Sequence, residues 1–483
     1  MYISGGRAPR NQKTILLDFN FSLMEPALIL AVVMMIGIAT FVLYGCIVSL
    51  LERENRAAVL LFLSGLVLIA PLILLFTFQQ QMPQWLLIAL PLLYVLTLVL
   101  FFAPVQWKLS TSTSKPNPGY DERKIMFSRN ELKPGTERFK AYYRDYPEHL
   151  LSDEQFRKKP GLLDEKALYF DPFLFNAAKA SFDAVEAFHG IVDGPVNGQK
   201  TECDPKELTA FLKSWAKKLG AKDVAITLLK DYHKYETVGR GKDYGKSVRL
   251  NHKYAIALTV EMDKDLIDTA PKGPVTLETS HKYLESGEVA VQLAVFLRKL
   301  GHEARAHIDG NYRVICPLVA KDAGLGNIGR MGLLMTPGQG PRVRIAVVTT
   351  DAPLELDARR ADPSMTAFCR VCKKCAENCP SRAIPFDDEQ TIGGVKRWQI
   401  NQEKCFTYWC QAGTDCGKCV AVCPYSHPDN LFHNLVRYEI RYNPLFRSVA
   451  AKLDDVFYGK KPAPKPGENN RRRDKKFRLL TLC

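Results

Sequence analysis

The chain has 483 residues, 47% of them apolar, and a formal net charge of +15 at pH 7. That length predicts two or three units rather than one domain. Nine of its 13 cysteines fall between Cys369 and Cys423, a distribution that excludes the disulfide framework of a small secreted protein and points to metal binding.

Residues 1–20 read as an N-terminal tail, and residues 21–104 as a membrane segment. Three stretches, Pro26–Leu51, Ala57–Phe78 and Trp85–Pro104, hold about twenty or more residues each with almost no charge. Each is long enough to cross a hydrocarbon layer of about 30 Å as a helix. The breaks between them, Glu52–Arg56 and Gln79–Gln84, are short and polar, as hairpin loops require. A cleaved signal peptide does not have three spans in succession. With the N-terminus outside, Arg53 and Arg56 lie inside, together with Lys108, Lys115, Arg123 and Lys124. The positive-inside rule therefore predicts a multi-pass protein of the inner (cytoplasmic) membrane whose C-terminal part faces the cytoplasm.

Residues 105–164 are expected to form a linker, polar over Ser110–Tyr120, and the first part of a soluble unit. From 165 to 355 helix and strand signals alternate, which predicts an α/β domain. Asp204, Pro205 and Gly220 read as N-cap, first turn and stop of one helix. Asp223–Leu229, Tyr254–Met262, Glu303–Ile308 and Val343–Thr349 read as strands, and Glu288–Leu300 as an amphipathic helix.

Residues 356–445 carry the metal chemistry. Cys369, Cys372, Cys375 and Cys379, followed by Pro380, have the Cys-x2-Cys-x2-Cys-x3-Cys-Pro spacing of a ferredoxin-like domain with two 4Fe–4S clusters. Three thiolates wrap one cluster and the fourth turns to its neighbour, an exchange for which a zinc site has no use. The second set, Cys416, Cys419 and Cys423, has Gly413 where another cysteine would stand. Its missing ligand must be Cys405 or Cys410. The expected exchange gives cluster 1 Cys369, Cys372, Cys375 and Cys423, and cluster 2 Cys379, Cys416, Cys419 and one of that upstream pair. The remaining residues, 446–483, read as a basic tail, with nine Lys/Arg against two acids from Gly459 onward. No aromatic interleaving accompanies the charge, so anionic lipid is a better partner for it than nucleic acid.

Several stretches in one order resemble the corrinoid-dependent reductive dehalogenases. They are Asp121–Arg123 with Met126–Arg129, Lys133–Thr136 with Tyr142 and Tyr143, Leu300–Ala304, Ala323–Arg330 (AGLGNIGR), Thr350–Leu354 (TDAPL), and Lys404–Trp409 (KCFTYW). The resemblance runs from about Asp121 to His433 and identifies a membrane-integral variant, with spans in place of that family's twin-arginine leader. It implies a nitroreductase-like corrinoid-binding domain over 165–355, with cobalamin in the base-off state. It also implies replacement of a carbon-bound halogen by hydrogen, on a small organohalide, with electrons from a low-potential donor such as a ferredoxin, a flavodoxin or a quinol. Cys405 is then the eighth cluster ligand. Tyr283 is the implied proton donor, Arg330 the candidate cation that stabilises its tyrosinate, and Asn311 (with Asp309 as the alternative) the polar pocket residue.

Two further patterns are weaker. Gly324–Gly329 fits a dinucleotide-binding turn, but no buried strand precedes it. Asp231-Tyr-His233 begins like a cobalamin lower-ligand motif but has Glu236 where a glycine is required, so no histidine ligand to cobalt is expected. The rival functions are an epoxyqueuosine reductase, which has Gly-Trp-Ile-Gly-Lys where this chain has Gly-Asn-Ile-Gly-Arg, and a membrane-bound ferredoxin-type electron-transfer subunit, which needs no α/β domain of this size.

Overall fold

The computed structural model describes residues 12–103, 115–359 and 362–466. Two units separate: Met1–Gln106 with Tyr442–Lys460, and Trp107–Arg441 with Lys461–Cys483.

The first unit begins with helices α1 (Gln12–Leu51), α2 (Asn55–Thr77) and α3 (Gln84–Phe102). α1 starts inside the stretch assigned to a tail from sequence, and residues 1–11 lie outside the described ones. Pro26–Leu51, Asn55–Thr77 and Gln84–Phe102 are each long and apolar enough to cross a membrane. Small and flexible side chains set the contact between them. Ala31, Met34, Leu72, Leu75 and Leu87 are buried there, while Ile36, Val67 and Leu100 face outward. Outward-facing Leu and Val suit lipid and would be costly in water.

The second unit is built on a four-stranded antiparallel sheet. After α4 (Pro172–Ala187) and α5 (Pro205–Lys218) come β1 (Asp223–Leu228), β2 (Tyr254–Glu261), α6 (Gly273–Lys299), β3 (Ala304–His307), α7 (Cys316–Asp322), the hairpin β4 (Asn327–Ile328) and β5 (Leu334–Met335), and β6 (Val343–Thr350). The sheet order is β1-β2-β6-β3. Register places Ile226 opposite Ile256 and Ile256 opposite Val348 on one face, and Ala225 opposite Ala257 and Ala257 opposite Val347 on the other. The first face is covered by Leu212 and Ala216 of α5 and by Val289, Leu293 and Leu297 of α6. The second packs its alanines against Val319, Ala320 and Leu334, from α7 and β5. Period-2 alternation with both faces apolar explains why each strand reads as a near-continuous apolar run.

Sequence predicts α6 only from Glu288, but it begins at Gly273. Its first half is polar yet buried at Thr276, Glu278, Thr279 and Ser280, so it lacks the solvent face that amphipathic reading requires. Asp204 caps α5 by accepting from the Lys206 and Glu207 backbone N–H groups, as its spacing predicts.

Helices α8 (Pro363–Cys372) and α9 (Gln402–Ala412) follow in the cysteine-rich segment. The final helix, α10 (Phe446–Tyr458), corrects the reading of 446–483 as a tail, and it belongs to the first unit. The basic stretch 467–483 lies outside the described residues.

Candidate active site

The cysteines fall into two neighbourhoods. Burial pushes the Cys375 thiol up, and the nearby thiols of Cys369, Cys423, Cys419 and Cys372 push it the same way. Burial likewise raises Cys405, Cys416 and Cys419, each to about 12. Cys405 is then influenced by Cys416 and Cys379, Cys416 by Cys419 and Cys379, and Cys419 by Cys405 and Cys379. Buried thiols crowded by other thiols are poorly suited to be free acids and well suited to donate sulfur to a shared metal group.

Cys410 lies apart. Burial alone pushes it up to about 12, and it packs with Met126, Phe156 and Phe406. Gly413 shows why no cysteine stands at the regular position. It ends α9 at φ +79°, and a Cβ there would sit 2.4 Å from the Ala167 Cβ and 2.9 Å from the Phe175 ring.

Arg330 is not beside Tyr283, which corrects the sequence reading. Its Nε donates to the Cys369 carbonyl at 3.0 Å, and its Nη1 donates to the carbonyls of Pro385 and Asp387, each at 2.8 Å. The guanidinium also lies 4.6 Å from the Trp398 ring. Fully buried, Arg330 holds the backbone around the first cysteine set. The turn before it packs just as closely, since a Cβ on Gly329 would meet the Met335 Sδ at 2.3 Å and the Cys369 Sγ at 3.6 Å.

The cation over Tyr283 is Arg344 of β6, 4.9 Å from the ring. Both residues line a cavity of about 200 Å³ with Tyr235, Tyr312, Leu333 and Pro341. Burial pushes the Tyr283 hydroxyl up to about 12. Arg344 pulls it down, while Asp309 and Asp415 push it further up. Arg344 Nη2 donates to Thr279 Oγ1 at 2.8 Å and to Asp415 Oδ2 at 3.1 Å, and its buried Nε has no hydrogen-bond partner.

Asn311 does not line that cavity; its Oδ1 accepts from Arg305 Nη2 at 2.6 Å. Asp309, the alternative, is within electrostatic reach of Tyr283, as Asp415 is. Arg305 borders a second, polar cavity of about 420 Å³ with Arg249, Asn251, His252 and Arg313, and its Nε is likewise buried without a partner. Sequence reasoning missed Arg344, Tyr312 and Asp415. Only Thr276, Thr279 and Tyr283, spaced i, i+3 and i+7, left a signal, a polar stripe on one helix face.

His233 is buried and engaged at both ring nitrogens. Nδ1 accepts from the Lys230 backbone N–H at 3.2 Å, and Nε2 faces Asp322 Oδ2 at 3.0 Å.

Residues 368–427 match the 4Fe-4S dicluster domain. Over 236 residues the chain is 35% identical to the tetrachloroethene reductive dehalogenase of Desulfitobacterium hafniense, a match covering 46% of this chain and 42% of that protein. It is 31% identical over 294 residues to the tetrachloroethene reductive dehalogenase of Sulfurospirillum multivorans, covering 53% of this chain and 58% of that one. The chain thus spans about half the length of these curated relatives. Its fold is that of a solved reductive dehalogenase whose structure is described as suggesting a mechanism for B12-dependent dehalogenation. The TM-score is 0.58 at 22% identity, over 78% of this chain and 56% of that one. Epoxyqueuosine reductases are more distant, at 27% identity over 172 residues for the Listeria monocytogenes protein.

Proposed function

We propose, from the premise that this chain is a homologue of the reductive dehalogenases, that it is a membrane-anchored enzyme replacing a carbon-bound halogen by hydrogen. The observation that carries this reading is Tyr283 under Arg344 in a small cavity, on the unit that also holds both cysteine sets.

Cys369, Cys372, Cys375 and Cys423 would hold one cluster, and Cys379, Cys405, Cys416 and Cys419 the other. The polar cavity of about 420 Å³ would take the amide-rich edge of a base-off corrinoid, since Arg249, Arg305 and Arg313 border it and the buried Arg305 Nε has no partner there. His233, occupied at both nitrogens, is unavailable as a cobalt ligand. When bound, these groups supply single electrons and low-valent cobalt.

The chain's own residues handle the proton and exclude water. Tyr283 Oη gives up the proton that the product acquires, and the Arg344 guanidinium stabilises the tyrosinate left behind. The apolar walls at Val314, Leu333, Leu334 and Ile345 keep the site dry, which strengthens that attraction. A cavity of roughly 150 Å³ accepts benzene, so one of about 200 Å³ suits a halogenated phenol or short haloalkene. Three helices long and apolar enough to cross a membrane, with the positive-inside charge bias, support an inner-membrane enzyme whose catalytic unit faces the cytoplasm, where a ferredoxin, a flavodoxin or a quinol would be the electron donor.

The test is anaerobic purification, cofactor reconstitution and halide release from halogenated phenols and alkenes. Tyr283→Phe should abolish turnover while iron, sulfide and corrinoid contents stay at parental values. An active Phe variant removes Tyr283 from the mechanism. A reconstituted protein without corrinoid sinks the enzyme reading.

A further inference from the structure

The helix α10 has two faces with opposite environments. Phe446, Arg447, Ala450 and Asp454 are buried. On the other side Leu445, Val449, Leu453 and Val456 are 72%, 47%, 41% and 49% exposed. Their spacing of four, four and three residues puts them in one apolar stripe along the helix and the residue preceding it. Nothing in the first unit covers that stripe among the described residues.

Contacts within the first unit place the helix. Near its start, Phe446 meets Phe101 edge to face at 5.1 Å, at the last turn of α3. At its end, a Cβ on Gly459 would lie 3.7 Å from Arg56 Nη1, at the first turn of α2. The Tyr458 hydroxyl is pushed up by burial and then by the carboxylates of Glu52, Asp454 and Glu54, two of which belong to the loop between α1 and α2. α2 and α3 form a hairpin, so the first turn of α2 and the last turn of α3 share one end of the bundle. Thirteen residues of helix reach about 20 Å. α10 therefore runs across that end, from the exit of α3 to the α1–α2 loop.

We infer that α10 is a fourth membrane element, an in-plane helix whose Leu445, Val449, Leu453 and Val456 stripe sinks into the lipid at the mouth of the three spans. The occupant is lipid because α10 packs on the ends of helices whose own outward residues there, Leu51 and Phe102, are apolar and exposed. Lys452 is exposed beside the stripe and has the reach to snorkel to anionic headgroups, as do the arginines of the Glu52–Arg56 loop beneath. Such a helix ties the chain to the bilayer on both sides of the catalytic unit in sequence. This inference rests on the reading of the three helices as membrane spans.

The test uses the full-length holoprotein in vesicles of neutral and anionic phospholipid. Single cysteines are introduced at the stripe (Val449→Cys, Leu453→Cys, Val456→Cys), at mid-span (Val67→Cys) and on the catalytic unit (Leu151→Cys). Each is spin-labelled, with the unsubstituted protein labelled in parallel to set the background of native thiols. Labels at 449, 453 and 456 should collide several-fold more with oxygen than with an aqueous nickel chelate, as at 67, and the label at 151 should show the reverse. If position 67 meets oxygen but the stripe meets the nickel chelate, α10 faces water and the inference falls. If the stripe meets neither, protein covers it, a second copy of the chain included, and the inference falls as well. If position 67 itself meets the nickel chelate, the span reading fails and takes this inference with it.

Discussion

Replacing Arg344 by Gln should weaken Tyr283 as an acid without removing it. The guanidinium carbon lies 4.9 Å from the ring centroid. At an effective dielectric constant of about 20, opposite unit charges at that distance attract by about 3 kcal/mol. Losing that attraction makes the phenol a roughly hundredfold weaker acid. A proton half transferred in the transition state feels about half the loss, so kcat should fall about tenfold. Burial already holds the hydroxyl up at about 12, so there is little acidity to spare. The assay is steady-state halide release, with Arg344→Lys as the charge-retaining control and a Tyr283→Phe background as the second. Lys should restore most of the rate, and Gln should cost nothing further once Tyr283 is Phe. An unchanged kcat in Arg344→Gln would refute the pairing. So would an Arg344→Lys variant as slow as Gln, because charge would then not be what matters.

Three other substitutions discriminate at other sites. Cys405→Ala should lose the electron paramagnetic resonance signal of one cluster and the matching iron, while Cys410→Ala, in its apolar pocket, should keep both; the reverse result would reassign the eighth ligand. Asp322 is raised by burial, but hydrogen bonds from His233, Lys230 and Tyr232 outweigh this and hold it well below the ordinary carboxylate range. A depressed folded-state pKa contributes stability that is present above the unfolded value and lost as pH falls through the folded one. Asp322→Asn should therefore cost roughly 1–3 kcal/mol at pH 7, and denaturant midpoints of parent and variant should converge only below about pH 4.

Local features of the sequence were legible because they act locally. Cys-x2-Cys spacing, the Asp204 cap and twenty-residue apolar runs each fix their own few turns of chain. Tyr283 and Arg344 were not legible as a pair. They are 61 positions apart, and only the packing of α6 against the sheet that contains β6 brings them together. Arg330 misled because an arginine after a glycine-rich turn can serve either a ligand or backbone carbonyls, and spacing cannot say which carbonyls fold back onto it. The C-terminal helix was hidden by charge. Gly459 onward is basic enough to read as tail, and that reading spread upstream over an amphipathic stretch whose partner, α2, lies almost four hundred residues earlier in the chain.

The i, i+3, i+7 stripe of α6 joins the two halves of the chemistry. Thr276 Oγ1 donates to Asp415 Oδ1 at 3.0 Å, and Thr279 Oγ1 donates to Asp415 Oδ2 at 2.6 Å. Asp415 immediately precedes Cys416, which adopts a left-handed φ of +62°. Thr414 completes the anchor by donating to the Pro271 carbonyl at 2.7 Å, just before α6 begins. The same helix face thus presents Tyr283 to the cavity and grips the loop that carries a thiol of the second set. Arg344 closes the arrangement, with its charge balanced by Asp415 and its guanidinium over the phenol. A buried carboxylate, a buried cation and a strained cysteine would each be costly alone. Together they form one hydrogen-bonded array that ties the Tyr283 end of the helix face to the thiol-bearing loop, and that tie is what the placement of Asp415 beside Cys416 accomplishes.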